Sequence, residues 1–199
     1  MARKYRVAVI GRTGKGGYGH GLDVVWKEID GVEIVAVADP DEKGRAAAKR
    51  LGAKAAYADF RVMLEKEKPQ VVSVADRFLD PHRDMVVACA RAGASVFLEK
   101  PMARTLAEAD EMVKACETHH VKLAIAHQTR HSPRLARVKE LIASGRLGDV
   151  LELRGRGKED KRGGGEDLMT LGTHVLDLMR FLVGDARWAF AKLRPAPAG

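Results

Sequence analysis

Short apolar runs alternate with amphipathic stretches along the first 125 residues of the chain. The apolar runs are rich in β-branched residues, as in YRVAVIG, VEIVAVAD, QVVSVAD and ASVFLEK. The stretches between them, such as GLDVVWKEI, EKGRAAAKRL and LAEADEMVKACETH, carry apolar residues at helical spacing. Apolar strands joined by helices are typical of a parallel sheet covered on both faces. The pattern predicts an α/β domain over residues 1–125 with a doubly wound parallel sheet.

The pattern changes after residue 125. The stretches SPRLARVKELIASG and LMTLGTHVLDLMRFLVG predict helices, whereas DVLELRGRG and ARWAFAKL predict strands. Two strands rarely form a stable sheet without further cover. We therefore expect residues 126–199 to be an incomplete α+β domain that ends in RPAPAG. The open apolar edge of such a sheet favours a homo-oligomer or another partner chain.

Composition and charge exclude several classes of protein. No apolar run approaches the roughly 18 residues that cross a bilayer, and the N-terminus lacks a signal core, so we expect a cytoplasmic protein without a membrane partner. The formal charge is +8, but its 35 basic and 27 acidic residues are mostly interleaved. The densest basic segment, RGRGKEDKRGG, has no aromatic residue to stack on bases. We predict no nucleic-acid partner.

The metal-binding residue types lack the spacing of a metal site. The two cysteines, Cys89 and Cys116, have no C-x-x-C partner. Four histidines cluster between residues 119 and 131, but no carboxylate stands at ligand spacing. We therefore predict no bound metal.

The segment GRTGKGGYGHG directly follows the first predicted strand and contains six glycines in eleven residues. The literal G-x-G-x-x-G pattern falls on Gly14, Gly16 and Gly19, whereas a second register begins at Gly11 and puts Thr13 where a glycine is expected. Either register predicts a Rossmann loop that holds the pyrophosphate of a dinucleotide, and we favour Gly11 as its turn residue. The alternative is a glycine-rich hairpin loop with a capping aspartate.

Asp39 ends the second predicted strand, about 20 residues beyond the glycines. A carboxylate at this position can bind the adenosine ribose hydroxyls and repels a 2′-phosphate, so it favours NAD. Lys43 and Arg45 follow closely and leave NADP open.

The turn FLEKPMA stands at the end of the fifth predicted strand. Ligands of open parallel sheets bind beyond the carboxyl ends of the strands, so Lys100 is expected at the mouth of the cofactor cleft. A lysine there can orient a substrate hydroxyl or stabilise an alkoxide. The alternative is a surface lysine that precedes a turn proline.

Taken together, the glycine loop, Asp39, the Glu-Lys-Pro turn, QTRHSPRLARVKELIASGRLGDV and GGGEDLMTLGTHVLDLMRFLVG resemble the Gfo/Idh/MocA oxidoreductases, relatives of glucose-fructose oxidoreductase and inositol dehydrogenase. The resemblance covers nearly the whole chain. It implies hydride transfer between NAD or NADP and a carbon of a sugar, inositol or related polyol. It also implies a second domain whose open antiparallel sheet carries much of the substrate site and often the oligomer interface.

The resemblance assigns roles to individual residues. Lys100 matches the family's catalytic lysine, and His174 matches its helix-borne histidine, a general acid or base that could otherwise be a core residue. His82 matches a histidine near the nicotinamide, and Arg130 lies in an Arg-x-x-Pro turn on the substrate side. The residues expected to contact the cofactor are Gly11, Thr13, Gly14, Gly16, Gly19, Asp39, His82, Glu99 and Lys100.

The sequence departs from the family at two positions. These dehydrogenases commonly carry an aspartate four residues before the histidine, where this chain has Thr170, which we expect on the substrate side. Asp167, seven residues before His174 on the same helical face, is expected to replace that catalytic carboxylate. Glu166 and Asp177 are the alternatives nearby. Asp76 and Arg77 stand where Thr-Pro is usual. A dinucleotide-binding module or fragment without turnover is therefore the alternative to an active enzyme.

Overall fold

The structure is a computed structural model that describes residues 4–156 and 168–192. The chain divides into two compact units, Met1–Ala126 and His127–Gly199. No helix within the described ranges is long and apolar enough to span a bilayer.

The first unit is built on a six-stranded parallel sheet in the order β3-β2-β1-β4-β5-β6. The strands are β1 (Tyr5–Ile10), β2 (Val32–Ala38), β3 (Ala55–Tyr57), β4 (Val71–Val74), β5 (Ser95–Leu98) and β6 (Leu123–Ile125). The predicted Rossmann-type sheet is thereby confirmed. Because the strand order reverses between β1 and β4, the carboxyl ends of these two strands flank the crevice in which such folds bind ligands.

Helices cover the two faces of this sheet. They are α1 (Glu42–Leu51), α2 (Phe60–Glu67), α3 (His82–Arg91) and α4 (Leu106–Thr118). Successive residues of β1 point to opposite faces, so Ala8 and Ile10 pack with residues of α2, α3 and α4, whereas Val9 packs with residues of α1. The strands are buried on both sides, which explains their continuous apolar sequences.

The segment GLDVVWKEI does not form the predicted α-helix. The structure has only a single turn of 3-10 helix at Val25–Glu28. Gly19 and Gly21 adopt positive φ values of 64° and 88°, and the β-branched Val24 and Val25 follow, so the chain neither begins nor favours a regular helix here. The glycine loop therefore does not lead directly into an α-helix.

The second unit contains a 3-10 turn at Gln128–His131, α5 (Pro133–Ala143), a π-helical turn at Leu168–Gly172 and α6 (Thr173–Val183). The strands predicted at DVLELRGRG and ARWAFAKL are not formed in residues 149–156 and 186–192. A strand needs a neighbour for its ladder of hydrogen bonds, and the described part of this unit supplies none. Leu151 and Phe190 are accordingly 94% and 85% exposed.

The N-terminus of α4 depends on Thr105, whose hydroxyl accepts a hydrogen bond of 3.2 Å from the Glu108 backbone N–H. We expect T105A to lower the free energy of unfolding by about 1 kcal/mol, because the helix loses this cap. T118A, at the last residue of the same helix, is the matched control and should have less than about half that effect. Urea denaturation measures both variants, and equal losses would contradict the capping role.

Candidate functional site

Three carboxylates lie at the carboxyl edge of the sheet, each just beyond a different strand. Asp39 follows β2, Asp76 follows β4 and Glu99 follows β5, and their exposed fractions are 0%, 0% and 1%. A buried carboxylate is costly unless it is paired or hydrogen-bonded. Each of the three carboxylates has a partner in the glycine loop, Gly11–Gly21.

Asp39 holds the beginning of the glycine loop. Its Oδ2 accepts hydrogen bonds from the Thr13 backbone N–H (3.0 Å) and hydroxyl (2.8 Å), and its Oδ1 accepts one from the Asp41 N–H (2.9 Å). The sequence predicted that this carboxylate and Thr13 would contact the cofactor. In this structure they contact each other, so Asp39 positions the loop.

Arg12 joins the loop to the end of β4. Its Nε lies 2.6 Å from Asp76 Oδ2 in an ion pair without the angle of a hydrogen bond, and its terminal nitrogens donate to both oxygens of Asp80 at 3.0 and 2.9 Å. The bonds from Arg12 lower the pKa of Asp80. Burial raises the pKa of Asp76, opposed by the Phe78 N–H and by Arg12.

Arg12 was not among the predicted site residues. The signal that could have found it is topological, since β1 and β4 are neighbours and the residues that follow them must meet. Asp76, a carboxylate directly after β4, would need a partner when buried, and a cation in the loop after β1 could supply it. In the sequence, Asp76 is conspicuous only as a departure from a family pattern.

Glu99 holds the end of the glycine loop. Its Oε2 accepts a hydrogen bond of 3.1 Å from the His20 N–H, and its Oε1 accepts one of 3.2 Å from the Lys100 N–H. The Lys100 ammonium lies 4.0 Å from Oε1, and the residue as a whole is 9% exposed. A Cβ on Gly19 would lie 2.5 Å from Glu99 Oε2, so only glycine fits at this position.

Between these anchor points the loop turns back as a short hairpin. Arg12 and Gly17 exchange backbone hydrogen bonds of 3.1 Å, and Gly14 and Gly16 have φ values of 80° and 87°. The Tyr18 ring covers Gly11, where a Cβ would lie 2.6 Å from Cδ1. The loop thus has the local geometry of a glycine-rich hairpin, which was the alternative to a Rossmann loop. The surrounding sheet is nevertheless that of a dinucleotide-binding domain.

The Tyr18 hydroxyl fastens the loop to α1 by donating a hydrogen bond of 3.0 Å to the Gly44 carbonyl. Burial raises the pKa of this phenol. The Tyr18 ring therefore leaves no space for a side chain at Gly11. The spacing of the glycines alone did not indicate this constraint.

A cleft of about 240 Å³ opens at the carboxyl ends of β1 and β2. Its walls combine apolar side chains with two arginines, and it is lined in part by Gly11, Arg12, Ala38, Phe60, Arg61 and Met85. Apolar walls with a few polar groups are typical of cofactor sites. A Cβ at Gly14 or Gly17 would meet no neighbouring atom, so there is open space beside the loop.

His82, predicted to contact the cofactor, is fully buried at the beginning of α3. Its Nε2 lies 2.8 Å from the Asp76 carbonyl oxygen, and its Nδ1 lies 3.1 and 3.2 Å from the carbonyl oxygens of Pro101 and Met102. The ring has no exposed surface and does not line this cleft, and its contact with the cofactor stays a prediction. His82 links the segments after β4 and β5.

The second unit contains the other predicted side chains. Arg130 pairs with Asp177 through two nitrogens, with Nε 3.0 Å from Oδ2, and its guanidinium lies over the Phe181 ring. His174 is half-buried in the first turn of α6, and its ring meets His127 edge to face at 5.7 Å between centroids. Asp177 is thus the ionic partner of Arg130.

The spacing of Thr170 and His174 along the helix also differs from expectation. Thr170 lies in the π-helical turn and His174 in α6, so their separation of four residues is not that of a continuous α-helix. Glu166 and Asp167 lie outside the described residues. Within residues 4–156 and 168–192, no group of three or more His, Cys, Asp or Glu side chains could hold a metal ion.

Residues 5–127 match the sequence profile of the oxidoreductase family with an NAD-binding Rossmann fold, and residues 135–198 match that of the GFO/IDH/MocA C-terminal domain. The chain belongs to the GFO/IDH/MocA oxidoreductase family. The resemblance that the motifs carried is thereby confirmed.

The lengths of individual family members can be compared with the length of this chain. D-apiose dehydrogenase of Paraburkholderia graminis is 36% identical over 174 residues, which are 80% of this chain and 45% of that protein. Myo-inositol 2-dehydrogenase of Lactobacillus plantarum superposes with a TM-score of 0.77 at 25% identity, covering 91% of this chain and 57% of that one. An oxidoreductase domain protein of Kribbella flavida gives 0.79 at 27% identity, covering 92% and 53%. The chain thus spans about half the length of these relatives.

In the glycine loop, the effect of the close approach between Gly19 and Glu99 on stability can be distinguished from the effect of a positive φ alone. Gly14 and Gly19 both have positive φ, but a Cβ on Gly14 meets open space. We expect G14A to cost about 1 kcal/mol of stability from its backbone conformation, and G19A to cost about 2 kcal/mol more because Glu99 must move. Urea denaturation compares the two variants, and equal losses would exclude a tight contact with Glu99.

The Arg12–Asp80 pair predicts a pH dependence of stability. Because the pKa of Asp80 is lowered below its ordinary value of 3.8, the pair stabilises the folded state at neutral pH and loses this effect as the pH falls through the lowered pKa. We expect D80N to be less stable than the wild type at about pH 7, and the difference to shrink as the pH falls toward about pH 2.

Thermal or urea unfolding between these pH values measures the difference. The exposed Asp110 on α4 provides the control D110N, for which we expect no such pH-dependent loss. A difference between D80N and wild type that stays constant across the range would show that Asp80 does not act through its charge.

Proposed function

We propose that this GFO/IDH/MocA chain is the cofactor-binding part of an NAD(P)-dependent oxidoreductase that transfers hydride between the nicotinamide and a carbon of a sugar, inositol or related polyol. The observation that carries the proposal is the position of Lys100. It follows β5 at the carboxyl edge, is nearly buried, and lies beside the fully buried Glu99. The related D-apiose and myo-inositol dehydrogenases support the substrate class.

The cofactor, when bound, supplies the hydride acceptor or donor. We propose that the cleft beside Phe60 holds its adenosine and that Gly14, Gly16 and the neighbouring loop amides hold its pyrophosphate. The buried charge of Asp39 favours NAD over NADP, since it repels a 2′-phosphate. Arg45, whose Nη1 donates to the carbonyl oxygens of Asp39 and Pro40, is the nearby cation that would favour NADP.

Proton chemistry is assigned to this chain's own side chains. We propose that the Lys100 ammonium orients the substrate hydroxyl and stabilises developing alkoxide charge, with its position set by the adjacent Glu99. His174 is proposed as the general acid or base, and Asp167 as its carboxylate partner. Thr170 and Arg130 are proposed on the substrate side, where the bidentate pair with Asp177 fixes the direction of the guanidinium.

The second unit and the cysteines suggest the setting of the protein. We propose that residues 126–199 belong to a substrate and oligomerisation domain, and that homo-oligomers form through it. Cys89 and Cys116 are both free and buried, as is usual in a reducing compartment, which supports a cytoplasmic location.

A dinucleotide-binding module without turnover is the second candidate. One observation favours it: no residue of α5 or α6 is buried, so the described part of the second unit has no interior of its own. A substrate site built on these helices needs further packing to hold its side chains in place.

The test is a cofactor titration followed by a turnover assay with wild type, K100M and the control K114M, whose exposed lysine lies on α4. We expect K100M to bind NADH within about threefold of wild type and to lose about 100-fold or more in turnover of D-apiose or myo-inositol. K114M should change neither. Cofactor binding without turnover by any of the three proteins would favour the module, and absence of binding would exclude the dinucleotide site.

A further inference from the structure

Among the described residues, both ring nitrogens of His82 face hydrogen-bond acceptors. All seven histidines of the chain lie in the described residues, and His82 alone is fully buried. Its two ring nitrogens lie within hydrogen-bond distance of three carbonyl oxygens, one of Asp76 and two in the turn after β5. Carbonyl oxygens accept hydrogen bonds and never donate them, whereas a neutral imidazole has one N–H and one lone pair.

A neutral ring would therefore point a lone pair at a carbonyl oxygen. If Nδ1 carried the proton, Nε2 would face the Asp76 oxygen at 2.8 Å without a hydrogen between them. If Nε2 carried it, Nδ1 would face the carbonyl oxygens of Pro101 and Met102. The ring has no exposed surface, so a lone pair that faces a carbonyl oxygen there would be costly.

We propose that both ring nitrogens of His82 donate, so that the residue is an imidazolium that ties the end of β4 to the turn carrying Lys100. The charges around it are balanced. The carboxylate of Asp76 is fully buried, Arg12 pairs with it from the loop side, and Asp80 completes the chain of alternating charges. Two cations and two carboxylates thus lie together at this edge, beside the Glu99–Lys100 pair.

This arrangement makes His82 a positioning residue for Lys100, and that role rests on the proposed function. The segment before Lys100 is held by the Glu99 N–H, which donates to the Val74 carbonyl oxygen at 2.9 Å. The segment after Lys100 is held by His82 through the carbonyl oxygens of Pro101 and Met102. The lysine backbone is therefore held on both sides, which directs its side chain.

The first experiment observes the histidine ring protons of the folded wild-type chain by NMR after ¹⁵N-histidine labelling at neutral pH. We expect one histidine with two slowly exchanging ring N–H groups, and H82Q should remove this signal while H119Q, at an exposed histidine, should not. If H82Q fails to fold, the slow exchange of the one fully buried ring still identifies His82. A His82 ring with a single N–H would overturn the proposal.

The second experiment follows Lys100 itself. Lysine amines are ¹³C-methylated, and the Lys100 resonance is assigned by its loss in K100R. We expect this resonance to shift in folded H82Q and to stay unchanged in H119Q, because His82 contacts the turn and His119 does not. An unshifted Lys100 resonance in folded H82Q would overturn the positioning role. Neither readout requires turnover, so these failures are distinguishable from failure of the proposed oxidoreductase activity.

Discussion

The carboxyl edge of the sheet depends on the compensation of three buried carboxylates by one loop. Asp39, Asp76 and Glu99 follow three different strands, and none of them could remain buried and ionised without a partner. The glycine loop supplies those partners through Thr13, Arg12 and His20 in turn. The loop therefore has a defined shape because three separate points of the sheet hold it.

This constraint gives the glycines specific physical roles. Gly19 is required because a Cβ there would meet Glu99, and Gly11 because a Cβ there would meet the Tyr18 ring. A Cβ on Gly14 would meet no neighbour, so packing does not require glycine there, whereas the positive φ of the turn favours it. A glycine-rich loop can thus be built mainly by packing and buried charge, even where it also leaves space for a dinucleotide.

The two units differ in how completely their side chains are organised. In the first, helices cover both faces of the sheet, and the edge residues have several partners each. In the second, the helices bury no residue fully, and the Arg130–Asp177 pair is a two-nitrogen contact between its described residues. The fully buried charged side chains that the structure describes therefore lie at the carboxyl edge of the sheet in the first unit.

The sequence by itself determined the parallel sheet, the two-unit organisation and the family, because strand periodicity, glycine clusters and the Glu-Lys-Pro turn are local patterns. It also indicated which strands carry carboxylates at their ends. Only the tertiary structure decided that Asp39 bonds Thr13, that Arg12 pairs with Asp76, and that His82 is buried between carbonyl oxygens. Burial and hydrogen-bond partners depend on which strands are neighbours and which side chains then meet, and no pattern along the chain encodes that.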